Sequence, residues 1–176
     1  MLRMIQSCYI RLESIAAEIC SYCGVKLSTI TFPHSEVMVN VKPMSDGLTC
    51  RTALMWICQL CGCFARFNNY GELEIKWFDR ATLDNPADNQ GKYHSINNSF
   101  SKDLATNDIK ITGFKVVENS DSNSDQKEYF AGTDDYVVSI EENDLIVSGI
   151  GAEVVERLSD EFIGLKFRSG QITHLG

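Results

Sequence analysis

Two copies of one spacing, Cys20-Ser-Tyr-Cys23-Gly24 and Cys58-Gln-Leu-Cys61-Gly62, hold the side chains of this sequence that are best suited by type to chemistry. Two such pairs can offer four thiolates to a zinc ion in a tetrahedron, which makes Cys20, Cys23, Cys58 and Cys61 the candidate metal ligands. A zinc knuckle needs its pair on a tight turn, however, and each pair here continues an apolar helical stripe. An unpaired cysteine on such a stripe packs as a small hydrophobe, so core packing is the preferred reading and no cofactor is expected. Redox use ranks last. A C-x-x-C thiol is activated at a helix N-terminus, where the dipole favours thiolate, whereas these pairs fall at C-terminal ends. The seven cysteines, at 8, 20, 23, 50, 58, 61 and 63, are odd in number, and no signal-peptide pattern opens the sequence. Reduced thiols in a protein made in the cytoplasm are therefore expected rather than a disulfide framework.

Other constellations are weaker. His34, His94 and His174 lie in separate polar or terminal segments, and no serine sits in a nucleophile elbow. Asp134-Asp135 and Glu141-Glu142 fall at turns, where water solvates carboxylates, so an acid and base paired for glycoside cleavage is a minor reading. No glycine-rich phosphate cradle occurs. No catalytic residue is assigned, and the chain reads as a non-enzyme.

The elements that would position these residues repeat one grammar: an apolar-faced helix, a glycine, then a short strand. Leu12, Ile15, Ala16, Ile19, Cys20 and Cys23 form a helical stripe that stops at Gly24 before a strand Val25 to Leu27. Thr49 caps a second helix through Leu54, Ile57, Cys58 and Cys61, stopped by Gly62; Phe64 to Phe67 and Leu73 to Phe78 then form a hairpin through Asn68-Asn69-Tyr70-Gly71. A third helix carries Ala152, Val155, Leu158 and Phe162, stops at Gly164, and leads into Leu165-Lys166-Phe167. Between the first two, Val37, Val39 and Val41 alternate as in a strand. The shared Ile-Cys-x-x-Cys-Gly of the first two copies reflects common helix-to-strand mechanics more readily than duplication.

The polar stretch from 86 to 108 reads as a linker. The expected organisation is α+β: a helix-hairpin domain over 1–85, that linker, and a β-rich, barrel-like domain with one helix over 109–176. In the latter, Ile109 and Ile111 have opposite parity to Phe114 and Val116, which a bulge at Gly113 accommodates. Glu118 to Glu128 reads as a mobile acidic loop, and Tyr129-Phe130, Tyr136 to Ile140 and Leu145 to Val147 as strands.

Charge divides the chain. Residues 1–80 carry eight basic and seven acidic side chains, and 81–176 carry eight basic and seventeen acidic. That acidity repels phosphate, so nucleic-acid and anionic-membrane partners are not expected. Aromatic residues crowd the helix-hairpin unit instead. Phe78 falls on the hairpin face opposite Leu73, Ile75 and Trp77, so Phe78, Phe67 and Trp77 are the candidate anchors of a protein interface.

The segment GLTCRTALMWICQLCGCFARFNNYGELEIKWFD, with the upstream ICSYCGVKL and TFPHSEVMVNV, resembles the tail and baseplate hub proteins of long-tailed bacteriophages and prophages of low-GC Gram-positive bacteria. DIKITGFKVV, AGTDDYVVSIEENDLIVSG and GAEVVERLSDEFIGLKF follow in the order such hubs use. The resemblance implies a non-enzymatic virion component at the tail tip, assembled as a ring, commonly a trimer, and bound to other tail proteins. It implies a packing role for Thr49 to Asp79 and the opening strand of a barrel-like domain at Ile109 to Val117. It also leads one to expect further barrel strands past Gly176, as in a longer parent protein. The rival readings are a zinc-stabilised adaptor and a tail-associated glycan-binding or glycan-hydrolysing protein.

Overall fold

The computed structural model describes residues 8–29, 31–41, 47–77, 100–104, 108–118, 126–147, 149–167 and 170–174. The fold is α+β. Strand β1 (Cys8–Arg11) pairs antiparallel with β2 (Met38–Val41), Ile10 lying opposite Val39. Helix α1 (Leu12–Tyr22) follows β1 directly and buries Leu12, Ile15, Ala16, Ile19 and Cys20. Arg11 offers no side-chain cap, so the segment before β2 supplies acceptors: Leu12 N–H donates to Val37 O and Glu13 N–H to Ser35 O, both at 3.0 Å. The strand expected over Val25–Leu27 reduces to a single bridge from Leu27 to Leu73.

Helix α2 (Cys50–Leu60) begins as its sequence dictates, with Thr49 Oγ1 accepting from Thr52 N–H at 3.1 Å. It ends at Cys61 and Gly62, where a φ of +62° turns the chain into β3 (Cys63–Phe67). β3 pairs antiparallel with β4 (Leu73–Trp77), Ala65 opposite Ile75. Asn68 holds the connection, its Oδ1 accepting from the N–H groups of Tyr70 and Glu72 at 2.9 and 3.0 Å.

Within the stretch read as a linker, Phe100–Leu104 forms strand β5. Next, β6 (Ile109–Lys110) and β7 (Gly113–Val117) divide the segment expected to be one kinked strand, and the parity change at Gly113 is a change of sheet. β7 lies between an antiparallel β8 (Glu128–Gly132) and a parallel β9 (Val137–Ile140). Leu145 to Val147, expected as a strand, is instead the end of a turn followed by a single bridge residue, Val147, with Leu145 and Ile146 buried. Helix α3 (Gly151–Phe162) packs across β7 and β8 through Val154, Val155 and Leu158. Ala152, expected on that buried face, is exposed. After α3, β10 (Lys166–Phe167) pairs with β6, and β11 (Gly170–His174) pairs with β5.

The barrel expected of this half does not close among the described residues, whose sheets have two or three strands. A helix covers the β7 sheet where a barrel would need more strands. Residues 119–125 of the expected acidic loop lie outside the described residues, but its first member, Glu118, is buried at 2% exposure.

One apolar cluster runs from Leu12 and Ile57 through Phe114 to Leu158, so the two halves share a core. Asn143 ties them. Fully buried, it donates from Nδ2 to Trp56 O at 3.1 Å and to Gln59 Oε1 at 2.9 Å, while its Oδ1 accepts from Leu145 N–H at 3.0 Å. Arg157 of α3 donates to Leu60 O at 3.2 Å, where the free carbonyls of α2 end. No described helix is long and apolar enough to cross a membrane.

Candidate functional site

Helices α1 and α2 converge on the β3–β4 hairpin around a cavity of about 560 Å³. Ile19, Leu54, Ala65 and Leu73 form its apolar wall, because the helix stripes and the hairpin face of Ala65 and Leu73 meet there. Met55 and Phe67 line the same cavity while remaining 49% and 61% exposed to solvent. Arg51 and Arg66 are its charged lining residues, and Arg66 Nε pairs with Glu74 Oε2 at 3.0 Å.

Five thiols also face this cavity: Cys20, Cys23, Cys50, Cys58 and Cys63. The two C-x-x-C-G units therefore come close, but their four sulfurs are not arranged as a ligand set. Among the described residues no three His, Cys, Asp or Glu side chains are grouped to hold a metal ion. Cys61 turns away and donates to His34 O at 3.9 Å, and Cys63 donates to Cys61 O at 3.2 Å. Burial pushes the Cys58 thiol up to about 11, and burial with the neighbouring Cys58 and Glu161 pushes Cys63 up to about 12. Cys61 is raised too, chiefly by burial. These thiols stay neutral and serve as packing groups.

The candidate interface aromatics separate. Phe67, opposite Leu73 near the hairpin turn, borders the cavity. Trp77, 44% exposed, stands at the other end of β4 opposite Cys63 and does not line it. Phe78 lies outside the described residues. Sequence reasoning missed Cys50, Arg51 and Met55 as lining residues, although a helical wheel of α2 extends its apolar face to Met55. Arg66 carried no signal, since its position on the cavity rim depends on how the hairpin packs.

His34 adopts a φ of +58° and places Nε2 2.9 Å from Glu161 Oε1 of α3, and among the described residues no hydroxyl is bonded to its ring. His94 lies outside the described residues, and His174 closes β11. A second depression, about 430 Å³, gathers Lys115, Glu128, Phe130, Asp134, Ser139 and Glu141. Its carboxylates clamp a lysine: Lys115 Nζ is 3.1 Å from Glu141 and 3.7 Å from Glu128. The Lys115 hydrogen bond lowers the Glu141 pKa, the opposite of what a general acid for glycoside cleavage requires.

Glu118 is the other polar residue whose role the sequence hid. Its Oε1 accepts from the N–H groups of Gly149 and Gly151, both at 2.8 Å, and so caps α3, whose own N-cap residue Ile150 has no side-chain acceptor. Compared with protein-family models and with curated proteins, the chain matches none.

Proposed function

We propose that the protein is a structural subunit of a phage or prophage tail tip or baseplate hub. It acts through interfaces rather than chemistry, and the cavity beside α2 and the hairpin is where a second copy of the chain docks. The observation that carries this reading is the cavity itself: an apolar concavity whose exposed Met55 and Phe67 supply the kind of anchors that dominate interface energetics. Charge supports a like partner, because the near-neutral first half lets two copies approach without the repulsion that the acidic second half would impose. The resemblance of Thr49 to Asp79 to hub proteins supplies the assembly, a ring in the virion tail contacting other tail proteins. The buried, neutral thiols are consistent with a scaffold.

Light scattering across a dilution series tests the proposal. The expected result is an oligomer that dissociates on dilution, and that becomes monomeric in Met55→Glu/Phe67→Glu while far-UV circular dichroism is unchanged. Each anchor contributes on the order of 2 kcal/mol to association. A chain that is monomeric at every concentration, or a double variant that assembles like the parent, would overturn it.

A further inference from the structure

The cavity contains a thiol pair that crosses the C-x-x-C pattern: Cys23 from the first unit and Cys50, which belongs to neither. Cys23 ends α1 as its C-cap and is exposed, and Cys50 is the first residue of α2 and half-buried. Both line the cavity, where they are the two lining thiols that are neither buried nor donating to a backbone carbonyl, and Cys23 is the neighbour that acts most on the Cys50 thiol. Two accessible thiols on one cavity wall, at the end of one helix and the start of the next, become a covalent pair once their Cβ atoms close to about 3.5–4.5 Å. The other candidates are less accessible: Cys20 is 3% exposed, Cys58 6% and Cys61 fully buried. Cys63 is held as a neutral donor to Cys61 O. A peroxide molecule reaching this face meets Cys23 first, with Cys50 beside it to resolve the product.

We propose that Cys23 and Cys50 form a reversible dithiol–disulfide couple, oxidised by hydroperoxides, that fastens the end of α1 to the start of α2 at the rim of the cavity. The chemistry balances in two steps. The Cys23 thiolate attacks one peroxide oxygen, breaking the O–O bond and giving a sulfenic acid and, after protonation, one water. The Cys50 sulfur then attacks the sulfenic sulfur, forming the S–S bond and expelling a second water once its thiol proton is transferred. Two electrons pass from the two sulfurs to the peroxide, and a dithiol reductant reverses the change. The bond is intramolecular, so this proposal does not depend on the docking reading. Its consequence for that reading is a locked geometry between the two helices that frame the cavity.

The test treats the folded full-length chain with hydrogen peroxide, blocks remaining thiols with iodoacetamide, and maps the digested peptides by mass spectrometry. The expected product has lost two hydrogens, contains one cross-linked peptide joining Cys23 to Cys50, and reverts with dithiothreitol. Cys23→Ser and Cys50→Ser each lose the cross-link, whereas Cys20→Ser and Cys8→Ser keep it. Circular dichroism of every variant separates loss of the bond from loss of the fold. A Cys20–Cys23 link or any other pairing, oxygen addition at Cys23 without a cross-link, or reaction only after unfolding would overturn the proposal.

Discussion

Asn143 is the residue on which the joint between the two halves turns. A buried amide with three partners cannot be trimmed without stranding Trp56 O, Gln59 and Leu145 N–H, each of which then bears its desolvation cost unmet. Asn143→Ala should therefore lower the unfolding free energy by about 2 to 4 kcal/mol in urea titration. Cys58 shares the alkaline behaviour with the likewise raised Cys61 and Cys63, and its part can be isolated. Its folded pKa is raised, so its contribution to stability is fully present below the ordinary value of 9.0 and is lost as pH rises towards about 11. Between those limits the parent should lose on the order of 2 to 3 kcal/mol more than Cys58→Ala, a difference read from denaturant midpoints at each pH. Glu118 gives a third expectation. Glu118→Ala removes a charged acceptor from the start of α3 and should cost about 1.5 to 3 kcal/mol, whereas Glu118→Gln, which retains an oxygen, should cost less.

At the scale of elements, the junction from α2 to β3 shows two constraints at one glycine. Gly62 needs its left-handed φ of +62°, and a Cβ there would also lie 2.7 Å from Glu161 Oε2. The second obstacle is the end of a flexible side chain and can be removed. Gly62→Ala should destabilise by about 1 to 2 kcal/mol, and Glu161→Ala in the same chain should restore part of that loss, a non-additivity measurable by a double-mutant cycle. Gly132 lacks such relief, because with φ at +94° its added Cβ would meet the backbone oxygen of Thr112. The helix-glycine-strand grammar was legible because a cap, an apolar stripe and a stop are local signals. Strand β1 was not, since Cys8–Arg11 becomes a strand by pairing with residues far along the chain.

For the whole molecule, the shared core means that the halves should unfold together. Leu158→Ala opens a cavity beneath α3 and should cost about 2 to 5 kcal/mol. Trp56 lies in the first half but within the same cluster, so its fluorescence should report the same lowered midpoint as backbone circular dichroism. Two separated transitions would instead mean independent halves.

Periodicity, caps and glycine stops were enough to specify α1, α2, the β3–β4 hairpin and α3, because each is stabilised by contacts between near neighbours in the chain. They also specified that Cys20, Cys58 and Cys61 sit on buried apolar faces, but not that Cys23, expected on the same stripe, is exposed at the helix end. Only the tertiary structure decided that Cys50 shares a cavity with Cys23, that Phe67 borders it while Trp77 does not, and that Asn143 and Glu118 are buried keystones rather than solvated turn residues. The physical reason is the same in each case. A polar group is buried only where distant backbone N–H and C=O groups complete its hydrogen bonds, and which groups those are depends on how the packed elements meet.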